Sequence, residues 1–112
     1  MEIGSIRHKA LRRFVETGKP KGLPGELTDR LLKMLNFIIA ADTLDELATP
    51  PNYGFHPLTG DRAGTWAMTV TRNWRMTFAI DDQDAIIDLD LEDYHLWLSR
   101  FTRRSRSMPG NG

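Results

Sequence analysis

Between Trp66 and Leu91 the chain alternates apolar residues with polar or small ones through three successive runs. These are Trp66, Met68 and Val70, then Trp74, Met76, Phe78 and Ile80, then Ala85, Ile87, Leu89 and Leu91. Successive side chains of a strand point to opposite faces, so period two over such runs predicts half-buried strands. Three in succession predict an antiparallel meander with one face packed and one open. Cross-strand partners share a face, and a one-residue slip inverts every side chain. A two-residue loop at Arg72-Asn73 would set Val70 opposite Arg75 and mix the faces. A three-residue loop, Thr71-Arg72-Asn73, instead sets Val70 against Trp74, Met68 against Met76 and Trp66 against Phe78. It also puts Asn73 in the left-handed conformation that asparagine tolerates. A four-residue loop, Asp81 to Asp84, pairs Ile80 with Ala85 and Trp74 with Leu91. The open face then carries His56, Thr69, Arg75, Thr77, Asp88 and Asp90, with Arg75 opposite Asp90 and with Tyr94 and His95 just past the last strand.

Helical spacing frames this sheet on both sides. Ala10, Leu11, Phe14 and Val15 form an apolar stripe over His8 to Glu16, stopped by Thr17-Gly18-Lys19-Pro20. Leu27, Leu31, Met34, Leu35 and Ile38 predict a second helix from about Pro24–Glu26 to Ala41, and Leu44 to Leu47 a further turn before Pro50-Pro51. Glu2 to Ile6 suits a short edge strand. Tyr94, Trp97, Leu98 and Phe101 share one side of a C-terminal helix. The expected class is α+β: an antiparallel sheet of three to four strands packed on two N-terminal helices, with a C-terminal helix. A single domain spans 1–106, with 96–106 as a helical extension and 107–112 as a frayed end.

At 112 residues the chain suits one domain with a modest core. With no cysteine, disulfides and thiolate metal sites are excluded. The N-terminus lacks a secretory pattern and no run reaches membrane-span length, so a cytoplasmic location is expected. Formal net charge is zero, yet the charges segregate. Residues 1–40 hold eight Lys or Arg against four acids, residues 81–93 hold seven acids and no base, and residues 96–112 hold four arginines and no acid. Neutrality argues against a protein that coats DNA, while each basic end suits either a solvated helix face or contact with phosphate.

One end of the sheet gathers a histidine, an arginine and the cluster Asp93-Tyr94-His95. Three segments, HPLTGDRAGTW, VTRNWRMTF and LEDYH, occur in this order. Together with Arg7-His8-Lys9-Ala10-Leu11 and the T-G-K stop, they resemble the HigB branch of the RelE-like toxins of type II toxin–antitoxin systems, over roughly residues 6 to 95. The resemblance implies a RelE-like fold and a ribosome-dependent endoribonuclease that cuts translated mRNA without a metal or other cofactor. It also implies as partners the ribosome, mRNA and a HigA-type helix-turn-helix antitoxin, which would supply the DNA contact. Carried over by position, His56, Arg75, Asp93 and His95 are the catalytic candidates, with Arg72, Tyr94 and Thr59 as substrate-binding candidates. Thr59 stands where the family often has lysine, and Arg72 lies one step beyond a position where some members carry arginine.

The chemistry explains the residue types. When a ribose 2′-hydroxyl attacks its own phosphorus, a base must take its proton, a cation must meet the phosphorane charge and an acid must protonate the leaving oxygen. Histidine, with an unperturbed pKa of about 6.5, serves either proton role. Arginine grips phosphate oxygens with two donors. The expected roles are His95 or Asp93 as base, His56 as acid, Arg75 for transition-state charge, Arg72 on a neighbouring phosphate and Tyr94 stacked on a base. The plainer alternatives are a surface ion pair between Arg75 and Asp90, a helix cap at Asp93, and a module that binds antitoxin or RNA without cutting. No ligand spacing supports a metal site built from His56, His95 and Asp93, and no helix-turn-helix pattern marks a DNA-binding regulator.

Overall fold

The computed structural model describes residues 1–93. Tyr94, His95 and the expected C-terminal helix lie outside the described residues. The elements are α1 (Lys9–Thr17), α2 (Thr28–Ala40), α3 (Leu44–Leu47), β1 (His56–Pro57), β2 (Trp66–Thr71), β3 (Trp74–Ile80) and β4 (Ile86–Asp93). The four strands form one antiparallel sheet in the order β1-β2-β3-β4, the upper end of the expected number. Ile3 and Ile6 bridge Ile86 and Leu89 in parallel, so the expected edge segment lies along the free side of β4.

Local chemistry sets the helix ends. His8 Nδ1 accepts the Leu11 N–H at 3.1 Å and opens α1, while Gly18 closes it at φ 78°, donating to the Phe14 carbonyl. A 3-10 turn, Gly25–Leu27, leads into α2, whose Leu31, Met34, Leu35 and Ile38 are buried. The last carbonyls of that helix, from Ile38, Ile39 and Ala41, accept from the Met1 amine. Thr43 and Glu46 form a reciprocal capping box at α3. Buried side chains of α1 and α2 join Met68, Val70, Met76, Phe78, Ile86, Leu89 and Leu91 of the sheet in one core. Each fully buried aliphatic or aromatic side chain there contributes roughly 1.5–3 kcal/mol.

Two bulges correct the expected register. Trp66 faces Phe78 and Met68 faces Met76, as the alternation predicts, but Thr71 rather than Val70 faces Trp74. The register shifts between Thr69 and Thr71, so β2 carries Val70 as an extra residue and the turn shortens to Arg72-Asn73. Mixed faces were the objection to a two-residue turn, and an inserted residue removes it. Val70 stays in the core while Thr69 and Arg75 remain opposite each other. Asn73 is not left-handed; its N–H donates to Thr71 Oγ1 at 3.3 Å.

In the second hairpin Ile80 faces Ile86 rather than Ala85, and Trp74 faces Asp93 rather than Leu91. Asp81 organises the longer loop by accepting the Gln83 and Ala85 N–H groups, each at 2.9 Å, and the left-handed residue is Asp84 at φ 62°. Farther along, the register shifts between Thr77 and Ala79. There Asp88, left-handed at φ 54°, and Leu89 together occupy the place opposite Phe78. Ser5 Oγ accepts the Asp88 N–H at 2.8 Å and so satisfies the bulge. Through these shifts Glu92, not Asp90, comes to lie across from Arg75.

Candidate active site

His56 is delivered by a sharply coiled approach. Asn52, Tyr53 and Gly54 all have positive φ, at 36°, 48° and 66°. Gly54 suits its place twice over, because a Cβ there would also meet Thr69 Oγ1 at 3.1 Å. Asn52 Oδ1 accepts the Gly54 N–H, and the Tyr53 carbonyl accepts the Thr69 N–H at 2.7 Å, pinning the coil to β2. Phe55 stacks on Trp66 with ring centroids 4.8 Å apart, and His56 then pairs with Ala67. His56 Nδ1 lies 2.7 Å from the Gly54 carbonyl. A carbonyl only accepts, so Nδ1 carries the proton and Nε2 is the atom left to exchange one.

The bulge at Val70 places the neighbouring turn. Arg30 on α2 donates from Nε to the Val70 carbonyl at 2.6 Å, and its guanidinium lies over the Tyr53 ring, 5.1 Å from the centroid. One side chain thus ties the β2–β3 bulge to the coil that carries His56. Between them opens a pocket of about 200 Å³, lined by His56, Thr69, Thr71, Arg72, Trp74 and Arg75 with Ala67 and Met68. No acidic residue is among the described lining residues. An imidazole and two guanidiniums around an open pocket suit an anion that must also exchange a proton.

Arg75 is set by a neighbour outside the pocket. Glu92 Oε1 accepts from Arg75 Nε at 3.1 Å and from a terminal nitrogen at 3.0 Å. The same carboxylate takes both terminal nitrogens of Arg62, at 3.0 and 2.6 Å, and the Thr77 hydroxyl at 2.8 Å. Thr77, expected on an open face, is only 2 % exposed, because this cluster covers it. Partial burial by itself would push the Glu92 pKa up. Hydrogen bonds from Arg62 and Thr77, the Arg62 charge and the bond from Arg75 outweigh it, bringing the pKa from 4.5 down to about 2. The hydrogen bond to Glu92 raises the pKa of Arg62 against the opposing effect of burial, with the charges of Glu92 and Asp90 adding to it.

Of the seven candidates, His56, Arg72 and Arg75 line one pocket. Asp93 is half-buried opposite Trp74, outside that lining. Thr59 also lies outside it; its carbonyl accepts the Arg62 N–H at 3.3 Å and starts the Gly60–Arg62 turn. Tyr94 and His95 fall outside the described residues. The plainer partner proposed for Arg75, Asp90, is replaced by Glu92. Arg62 and Glu92 were missed: strict alternation leaves no room for the longer loop and the bulge that bring Glu92 to Arg75, and Arg62 comes from a 3-10 turn that strand periodicity does not reach. One signal was present: Ile86-Ile87 offers two apolar residues in succession, so either could face inward. Among the described residues, no group of three or more His, Asp or Glu converges as a metal site requires.

Comparison with known proteins agrees with the architecture. Residues 4–95 match the family described as RelE-like toxin of type II toxin-antitoxin system HigB. The chain is 43% identical over 93 residues to Endoribonuclease HigB of Proteus vulgaris, an alignment covering 83% of this chain and 99% of that protein. The crystal structure of YafQ from E. coli strain BL21(DE3) shares the fold at a TM-score of 0.55 and 15% identity, covering 86% of this chain and 98% of YafQ. Motif order, sheet and family match agree, and the chain belongs to the HigB family of RelE-like toxins of type II toxin–antitoxin systems.

Proposed function

We propose that this chain is an endoribonuclease that cuts ribosome-bound mRNA, working in the cytoplasm and held inactive by a HigA-type antitoxin. The observation that carries the reading is the shared pocket of His56, Arg72 and Arg75. In the proposed reaction Asp93 or His95 takes the proton of the 2′-hydroxyl. The new 2′-oxygen–phosphorus bond forms as the bond to the 5′-oxygen breaks, and protonated His56 gives its Nε2 proton to that leaving oxygen. The Nδ1–H to Gly54 contact holds the ring in place through both protonation states. Arg75 meets the charge that builds on the phosphorane, where a fixed donor is worth most. Arg72, exposed on the turn, holds a neighbouring phosphate, and Tyr94 stacks on a base. Thr59, carried over as a further substrate contact, lies outside the pocket lining.

Cleavage of ribosome-bound mRNA by purified protein tests the reading. His56→Ala is expected to lower the rate about 10²-fold or more, the usual contribution of a placed general acid. Full activity in both His56→Ala and Arg75→Ala would remove these roles, and binding of ribosomes without any cleavage by the parent chain would leave only a non-cutting module.

A further inference from the structure

We infer that Glu92 is the positioning residue for Arg75, and that Arg62 holds Glu92 and shares its charge so that the carboxylate does not neutralise Arg75 alone. This rests on the role proposed for Arg75 above. Arg75 alone of the cluster lines the pocket; Glu92, Arg62 and Thr77 lie outside that lining. Glu92 Oε1 accepts from both Nε and one terminal nitrogen of Arg75, which anchors that edge of the guanidinium to one oxygen. A carboxylate offers about four lone-pair sites. Five donors crowd onto them, two from Arg75, two from Arg62 and one from Thr77, so Glu92 itself is held from two further directions.

Charge explains why two arginines share one acid. Alone with Glu92, Arg75 would form a neutral pair and present little attraction to a phosphate. With Arg62 bidentate on the same carboxylate, the Glu92 charge is shared between two cations instead of falling on Arg75 alone, and Asp90, whose charge acts on Arg62, lies outside the pocket lining. Arg62 arrives from the β1–β2 segment on the 3-10 turn that Thr59 starts, a route that brings a cation to the site without entering the pocket. Glu92 also directly precedes Asp93, so the same bonds pin the strand end from which Asp93-Tyr94-His95 continues.

The test is a double-mutant cycle on kcat for cleavage of ribosome-bound mRNA, with thermal melting of every variant. Glu92→Gln should lower kcat about tenfold or more, as small misplacements of a catalytic group do, and should lower it no further in an Arg75→Ala background. Arg62→Ala, a change at a partly exposed residue of a connecting turn, should show the same non-additive loss in the folded fraction, and Arg62→Lys should recover most of it. Equal losses from Glu92→Gln with and without Arg75 would overturn the inference, as would full kcat in Glu92→Gln or in Arg62→Ala. If Glu92→Gln fails to melt cooperatively, the Arg62 arm decides alone. Full activity of Arg75→Ala would instead strike the role of Arg75 itself, an outcome readable before the cycle is closed.

Discussion

The two faces of the sheet are held by different physics. On the packed face Met68, Met76, Phe78, Leu89 and Leu91 meet the helices, and the attraction is non-directional and proportional to apolar area. On the other face Arg62, Arg75, Thr77 and Glu92 are joined by hydrogen bonds whose strength depends on distance and angle. The first kind of contact tolerates approximate geometry and supplies stability. The second contributes less to stability but fixes where a charge sits. Substitutions on the packed face should therefore change how much protein is folded, and those on the other face should change what the folded protein does.

The strongest challenge to that division is Leu89→Ala. This fully buried residue sits in the β4 bulge, and its truncation should cost about 2–5 kcal/mol in urea unfolding, with cleavage per folded molecule unchanged. A loss under about 1 kcal/mol would break the comparison from the packed side. Arg75→Ala should do the reverse: cleavage falls on the order of 10²-fold, while stability shifts by about 1 kcal/mol or less, because Glu92 keeps Arg62.

Acid unfolding sharpens the contrast. The Glu92 pKa is lowered to about 2 in the folded chain from 4.5. Its contribution is fully present above pH 4.5 and is lost as pH falls toward 2, since protonation then favours the unfolded state. The contribution is on the order of 2 kcal/mol. Urea midpoints between pH 5 and 2 should fall more steeply for the parent chain than for Glu92→Gln, and equal slopes would show that the carboxylate is not held as described. The smallest effect belongs to Arg7 and Asp88, 3.9 Å apart and both well exposed. Arg7→Ala should leave the urea midpoint unmoved, since exposed pairs contribute little.

The pattern of residues foretold much of this arrangement. Two helical stripes, the meander, the pairings Trp66–Phe78 and Met68–Met76, and the nearness of His56, Arg72 and Arg75 could all be read from spacing and motif. The misplacements have two causes. Unbroken alternation leaves no place for the bulges at Val70 and at Asp88-Leu89, and the second hairpin has a longer loop than Asp81 to Asp84, so Ile80 already faces Ile86. Val70 is apolar and suits the core in either register, so side-chain type could not reveal the insertion.

By itself the sequence determined which side chains must leave water, because polarity and period are written residue by residue, and it determined which chemical groups are available for cleavage. Only the tertiary structure decided who stands opposite whom. An inserted residue changes every later partner along a strand without altering the composition of either face. The choice of Glu92 over Asp90 for Arg75 therefore depended on contacts outside the pair: Asp81 organising the second hairpin loop, Ser5 at the β4 bulge, and Arg62 arriving from another loop.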